Sequence, residues 1–395
     1  MISLPPHLPP GANWIDTPGR LAEAISRMSG EPELAIDTEA DSYYVYRVKV
    51  CLLQVSSRTE EWLIDPLAGI DLAPLGELCA DPAIRKVLHA ASNDVALLRK
   101  VHQFRFANLF DTMVAAQVLG LRRPGLASLL LERFGVEQKK TYQTSDWGKR
   151  PLSEGQLHYA AADTRYLLPL HDQLKAELEA KGRLEEAFED FGRLCESEQT
   201  ERGFDPDGWQ RAAGALELDP QRIQVLRELF VLRNEIASRR DKAPHRIFRD
   251  DALVAIAQVA PRRRADLAPL QRVAGWQLER ECDAVLDAVA RGLAQPPWVR
   301  ERRRSREVEG EAPLTELEKR LFEALRQWRR ERAGLRDVEE SRVATSGTLR
   351  AIAREAELTK ERLATVVGMS PFRVREYGDE IVAVVAKVVA KVSEG

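Results

Sequence analysis

Between residues 33 and 90 the chain reads as short apolar runs separated by small polar gaps. "ELAIDTE" from Glu33, "VCLLQVS" from Val50 and "EWLIDP" from Glu61 each have the length and aliphatic content of a strand. The gaps between them are too short for helical crossovers, so the pattern predicts neighbouring antiparallel strands. "RKVLHA" from Arg85 follows a helix-like stretch. A helix from about Asn93 then separates it from the short run "RFANLF". From Asp111 onward the apolar positions recur mostly at helical spacing. The expected class is α/β: a mixed sheet flanked by helices.

The clearest helix begins at Ser153, in "SEGQLHYAAADTRYLLPLHDQL". Ser153 and Gln156 fit a capping box, with Pro151 just outside. Leu157, Ala160, Ala161, Leu167, Leu168 and Leu174 form its apolar stripe, and Asp163 lies at the stripe's edge. At 100° per residue, Tyr159 sits about 40° around from Asp163, whereas His158 sits about 140° away. Tyr159 and Asp163 are therefore neighbours, and His158 faces Arg165. Pro169 should bend the helix just beyond them.

Past about Phe204 the strand signal ends and two similar helical units remain. "IFRDDALVAIA" from Ile247 matches "VATSGTLRAIA" from Val343, with Leu253 over Leu349 and Ala257 over Ala353. An Arg-rich helix precedes each, and the charged, proline-bearing segment between the units suits a linker. The expected domains are 1–200 (the sheet domain), 205–295 (first helical module), 296–312 (linker) and 313–395 (second module).

Composition alters this picture little. With 395 residues and 44% apolar content, several cores can form. No long apolar run could span a membrane, and the first residues lack the basic end and apolar block of a secretory signal. The four cysteines are far apart and read as reduced core residues of a cytoplasmic protein. Net charge is −3, but residues 1–200 hold 22 basic against 29 acidic side chains and residues 201–395 hold 37 against 33.

The chemistry lies in the acids. Asp37 and Glu39, at i and i+2, share a face if the first strand runs through them. If it stops at Ile36, both are solvated loop residues. Asp94 follows the strand "KVLHA" and, taken alone, would cap or complement the next helix. Together with Asp163, however, these four acids come from elements able to converge on a pair of divalent ions. No Ser-His-Asp order, Cys–His nucleophile or phosphate-binding glycine loop competes.

The same segments carry a family resemblance over nearly the whole chain. "AIDTEADS…LLQVSS", "KVLHAASNDV" and "SDWGKRPLSEGQLHYAAADTRYLLPL" resemble, in order and spacing, the three motifs of the DEDD exonucleases and, within them, the ribonuclease D family. The two helical modules resemble HRDC domains, the second more closely. The resemblance implies a ribonuclease H-like fold with Asp37, Glu39, Asp94 and Asp163 as ligands for two Mg²⁺ or Mn²⁺ ions. It places Tyr159 where the tyrosine-type subgroup orients the attacking water. His158 also satisfies the histidine-type spacing, so spacing alone leaves both open, and Asn93 stands where the family often has an acid.

The implied activity is 3′–5′ hydrolysis of tRNA precursors and other structured RNAs to nucleoside 5′-monophosphates, by a monomer that needs no membrane. Lys139, Lys140, Lys149 and Arg150 flank the third motif and read either as RNA-backbone contacts or as a solvated basic loop. A DNA exonuclease of the same chemistry and a non-catalytic RNA-binding protein are the alternatives.

Overall fold

The computed structural model describes residues 8–138, 140–196, 203–299, 313–355 and 358–393. Six strands form one sheet: β1 (Ala12–Ile15), β2 (Glu33–Ala40), β3 (Val50–Ser56), β4 (Glu61–Ile64), β5 (Arg85–Leu88) and β6 (Leu109–Asp111), in the order β1-β4-β3-β2-β5-β6. β3 is buried at every position, as a strand covered on both faces must be. It turns into β4 through a tight loop closed by Ser57 N–H to Glu60 O at 2.9 Å, and the pair is antiparallel as expected. β2 pairs in parallel with β5, and β5 with β6. The edge strand β1, parallel to β4, is too short to stand out in the sequence.

Helical connections sit where parallel pairing requires them: α1 (Pro18–Met28), α2 (Ala73–Ala80) and α3 (Ser92–His102). Then come α4 (Thr112–Val118), α5 (Leu126–Phe134), α6 (Glu154–Arg165), α7 (Leu167–Ala180) and α8 (Leu184–Glu196). The large core joins β2, β3 and β5 to α1, α2, α3, α4, α7 and α8. A smaller one holds Trp14, Cys51, Leu52 and Leu63 against Trp147, Leu157 and Ala160. That second core lays α6 against β3 and β4. The mixed sheet with flanking helices, followed by helical modules, is the fold the sequence predicted.

The chain divides into two compact units. One comprises Met1–Glu39, Val50–Glu198 and Glu307–Gly395; the other comprises Ala40–Lys49 and Gln199–Arg306. The second helical module therefore groups with the sheet domain rather than apart from it. The cause is a row of acid–arginine pairs: Arg336–Glu186 and Arg375–Glu185 at 2.5 Å each, and Arg342–Asp190. Glu189 also accepts the Phe372 N–H at 2.7 Å. Gly120, at φ 83°, allows the Asp337 carbonyl an approach that any Cβ would block. Most of the expected linker, 300–312, lies outside the described residues.

The two modules are a true structural repeat. Leu253 and Leu349, and Ala257 and Ala353, are all buried. At the same offset, buried Arg233 of α9 (Pro220–Arg240) donates to Phe248 O at 3.1 Å and Asp250 at 2.6 Å, while buried Arg329 donates to Ala344 O at 3.2 Å and Ser346 at 3.3 Å. Asp241 and Asp337, at φ 48° and 50°, end the two long helices in the same left-handed turn.

In the first module α9 packs on helix Cys282–Ala294 across Gly292, where a Cβ would fall 2.5 Å from Val225 Cα and 2.9 Å from Gln224 O. Backbone cannot yield there as a flexible side chain would. Gly292→Ala should therefore destabilise this unit by about 1–3 kcal/mol or more. Gly19→Ala, with nothing within 4 Å, should be neutral or slightly stabilising. Urea unfolding of both variants checks this; equal midpoints would refute the close approach.

Candidate active site

β2 continues as strand through Ala40, so Asp37 and Glu39 are not loop residues. The preceding Leu34, Ala35 and Ile36 are buried and hold the strand inside the sheet. The i, i+2 spacing then places both carboxylates on one face. α6 begins with the expected capping box at Ser153 and Gln156 and buries Leu157, Ala160 and Ala161. A hydroxyl bond between buried Ser56 and Thr164, 2.6 Å long, pins its last turn to β3. This fixes Asp163, buried, opposite the strand pair. Asp37, Glu39 and Asp163 each offer an oxygen within 4.8 Å of the others.

Asp94 approaches in a different way. It lies in the first turn of α3 but does not cap it. Instead its carboxylate accepts the hydroxyl of Thr38, the residue between Asp37 and Glu39. The turn leading into α3 is held by Asp111, which accepts the N–H groups of Ala90 and Ala91 at 3.0 and 2.8 Å and those of Met113 and Val114 at 2.8 and 3.1 Å. One buried carboxylate thus caps α4 and shapes the backbone presenting Asp94. Gln138 donates its side-chain amide to Asp163.

The electrostatics are those of a cluster lacking a counter-charge. Burial, then Asp94, Asp163 and Glu39, raises the Asp37 carboxyl well above its ordinary value. Burial, then Asp163 and Asp94, pushes Glu39 up to about 9. Burial raises Asp163 to about 7, against the bond from Gln138, and Asp94 to about 6, against the bond from Thr38. Every charged neighbour acting on these four groups is another carboxylate. Hard oxygen donors that repel one another at this range suit divalent cations.

Tyr159 is half-buried, its ring 6.1 Å from Tyr142 and 6.2 Å from Trp147. Burial, then Asp163, Glu39 and Asp37, raises its phenol further, so it stays protonated at neutral pH. No hydrogen bond joins it to Asp163 among the described residues, so the phenol is not merely tied to that carboxylate. His158 is exposed, 3.9 Å from Glu154. The helical-face argument separates the two residues correctly, and α6 gives way to α7 at Tyr166, near the bend anticipated at Pro169.

The basic residues fare differently. Arg150 must be corrected: it does not present a free guanidinium to RNA. It holds Asp65 through two bonds of 2.8 and 2.7 Å and donates to the carbonyls of Trp147, Lys149 and Cys51 at 2.8, 2.8 and 2.6 Å. All its donors fasten the third-motif loop to the sheet. Lys149 is exposed, with Asp146 at 3.4 Å. Lys139 lies outside the described residues.

Thr38, Gln138 and Asp111 were not identified from sequence. Thr38 stands inside "AIDTE", but strand alternation sends it away from its neighbours' face. Gln138 sits in an aperiodic loop that carries no signal. A second acidic group, Glu33, His171 and Asp172, is an ion network instead: Arg58 bridges Glu33 and Asp172, and Arg85 meets His171 at 3.3 Å.

Comparisons agree with this geometry. Residues 12–179 match the family model for a 3′–5′ exonuclease, and residues 222–289 and 318–385 match that of the HRDC domain. Ribonuclease D of Pseudomonas paraeruginosa is 30% identical over 367 residues, covering 82% of this chain and 96% of that relative. The crystal structure of Escherichia coli RNase D superposes with TM-score 0.63 at 25% identity, over 95% of this chain and 99% of the other. The catalytic core of RRP6 from Trypanosoma brucei gives TM-score 0.67 at 28% identity, over 71% and 79%.

The raised carboxyls have a measurable consequence without metal. Groups whose folded pKa exceeds the unfolded value stabilise fully below about pH 4, and that stability is lost as pH rises through the folded values of about 6, 7 and 9. In EDTA, Asp163→Asn should exceed the parent in stability by about 1–3 kcal/mol at pH 8–9, and the gap should close toward pH 4. Added Mg²⁺ or Mn²⁺ should raise the parent's melting temperature much more than the variant's. A variant less stable than its parent at pH 9 would refute the repulsive cluster.

Proposed function

Because the chain belongs to the ribonuclease D family of 3′–5′ exoribonucleases, we propose that it trims the 3′ ends of tRNA precursors and other structured RNAs, releasing nucleoside 5′-monophosphates. The observation that carries this reading is the meeting of Asp37, Glu39 and Asp163, with Asp94 beside them on Thr38. Asp37, Glu39, Asp94 and Asp163 would hold two Mg²⁺ or Mn²⁺ ions. When bound, such ions lower the pKa of water and neutralise charge on a phosphodiester.

The chain's own groups do the positioning. Thr38 and Gln138 fix the rotamers of Asp94 and Asp163, so the carboxylates are set before substrate arrives. The Tyr159 hydroxyl, still protonated at pH 7, holds the attacking water in line with the last phosphodiester. The water's oxygen bonds to phosphorus as the bond to the penultimate 3′ oxygen breaks, and that oxygen leaves with a proton. Lys149 is placed to meet the RNA backbone, and Lys139 and Lys140 are proposed for the same work. No helix among the described residues is long and apolar enough to cross a membrane. We place the enzyme in the cytoplasm as a monomer.

The test follows 5′-labelled RNA and DNA oligonucleotides with Mg²⁺, Mn²⁺ or EDTA. A ladder shortening from the 3′ end, on RNA and only with metal, is the expected result; cleavage of DNA alone would overturn the assignment. Tyr159→Phe should lower kcat by about 100-fold or more with little change in RNA affinity. His158→Ala should stay near the parent rate. The opposite ranking would move the site to the histidine-type subgroup.

A further inference from the structure

The segment Ala40–Lys49 leaves the catalytic strand directly after Glu39 and belongs to the unit built on the first helical module. It is a closed loop. Buried Asp41 accepts the Lys49 N–H at 2.8 Å through its carboxylate, and the N–H groups of Tyr44 and Val45 at 2.8 and 3.1 Å through its carbonyl. The module grips the loop: Tyr46 donates to Asn234 at 3.0 Å, the Arg47 N–H to Asp241 at 2.8 Å, and the Ala243 N–H to Tyr44 O at 3.1 Å. Backbone so fully tied down presents its outward side chains in fixed positions.

Those side chains are aromatic and basic. Tyr43 is 47% exposed, and its ring lies 4.5 Å from that of exposed His245. The Arg246 guanidinium stacks 4.6 Å from the Tyr44 ring centroid. Arg47, 65% exposed, and exposed Lys242 add positive charge beside them. Holding Tyr43 half in water buries little of its apolar area, so core packing does not account for it. Exposed aromatic faces rimmed by cations are what a single nucleic-acid strand uses, bases stacking and phosphates paired. The chain also limits the distance: four residues from Glu39 to Tyr43 reach at most about 14 Å.

We propose that Tyr43, His245 and Arg246 form a stacking platform for a nucleobase of the single-stranded RNA 3′ end, with Arg47 and Lys242 contacting its phosphates. The inference rests on the exoribonuclease reading and adds to it a subsite upstream of the bond being cut. The first helical module then contributes directly to substrate binding, through residues that also fix the loop leaving the catalytic strand.

The experiment measures anisotropy of a 5′-fluorescein-labelled 12-nucleotide oligoadenylate on the full chain in EDTA, where no hydrolysis occurs. Tyr43→Ala should weaken binding at least about fivefold and Tyr43→Phe should restore it. An oligonucleotide with abasic positions should bind parent and Tyr43→Ala alike. Arg246→Ala should weaken binding and lower its salt dependence. Equal affinities of parent and Tyr43→Ala for oligoadenylate would overturn the platform even if the parent trims RNA normally. A parent that trims only DNA, yet loses DNA affinity on Tyr43→Ala, would instead overturn the RNA assignment and keep the platform.

Discussion

Mutual repulsion among carboxylates drawn into one partly buried place is the constraint on which the rest of the nuclease depends. Asp37, Glu39, Asp94 and Asp163 each raise one another's proton affinity, or have it raised by burial, and no basic group among the described neighbours offsets this. A chain free to choose would separate them. The fold prevents it by placing two on a strand inside the sheet, one on a helix pinned by the Ser56–Thr164 bond, and one on a turn shaped by Asp111. The stability lost there is returned when cations bind, which couples the folded state to the ions the reaction needs.

The bonds that aim these groups are themselves short and specific. Thr38 and Gln138 each hold one carboxylate, and Arg150 commits its whole guanidinium to fastening the loop before α6. A guanidinium with every donor satisfied inside the protein is worth more as a rigid tie than as a phosphate contact. Tyr159 stays beside the cluster without bonding Asp163, held by Tyr142 and Trp147.

The two helical modules show one design put to two uses. Arg233 and Arg329 close the same turn in each, so their internal packing is equivalent. Their surfaces differ. The second module offers Arg336, Arg342 and Arg375 to the acids of α8 and joins the sheet domain. The first holds the segment Ala40–Lys49, which follows a catalytic carboxylate by one residue. The nuclease is therefore not separable at residue 200 as simply as a string of beads would suggest.

Much of this was legible before any coordinates. β3 spans the residues of its apolar run, the capping box at Ser153 starts α6, and angular spacing alone separates Tyr159 from exposed His158. The repeat offset paired Leu253 with Leu349, both buried. These features depend on period and local hydrogen bonding, which neighbouring residues encode. Tertiary structure alone decided that Asp94 would rest on Thr38, that Gln138 would reach Asp163, that Arg150 would hold Asp65, and that a loop after β2 would join the first module. Each of those joins residues far apart in the chain, and polar partners at long separation leave no periodicity. Their pairing is set by which surfaces the apolar cores bring together.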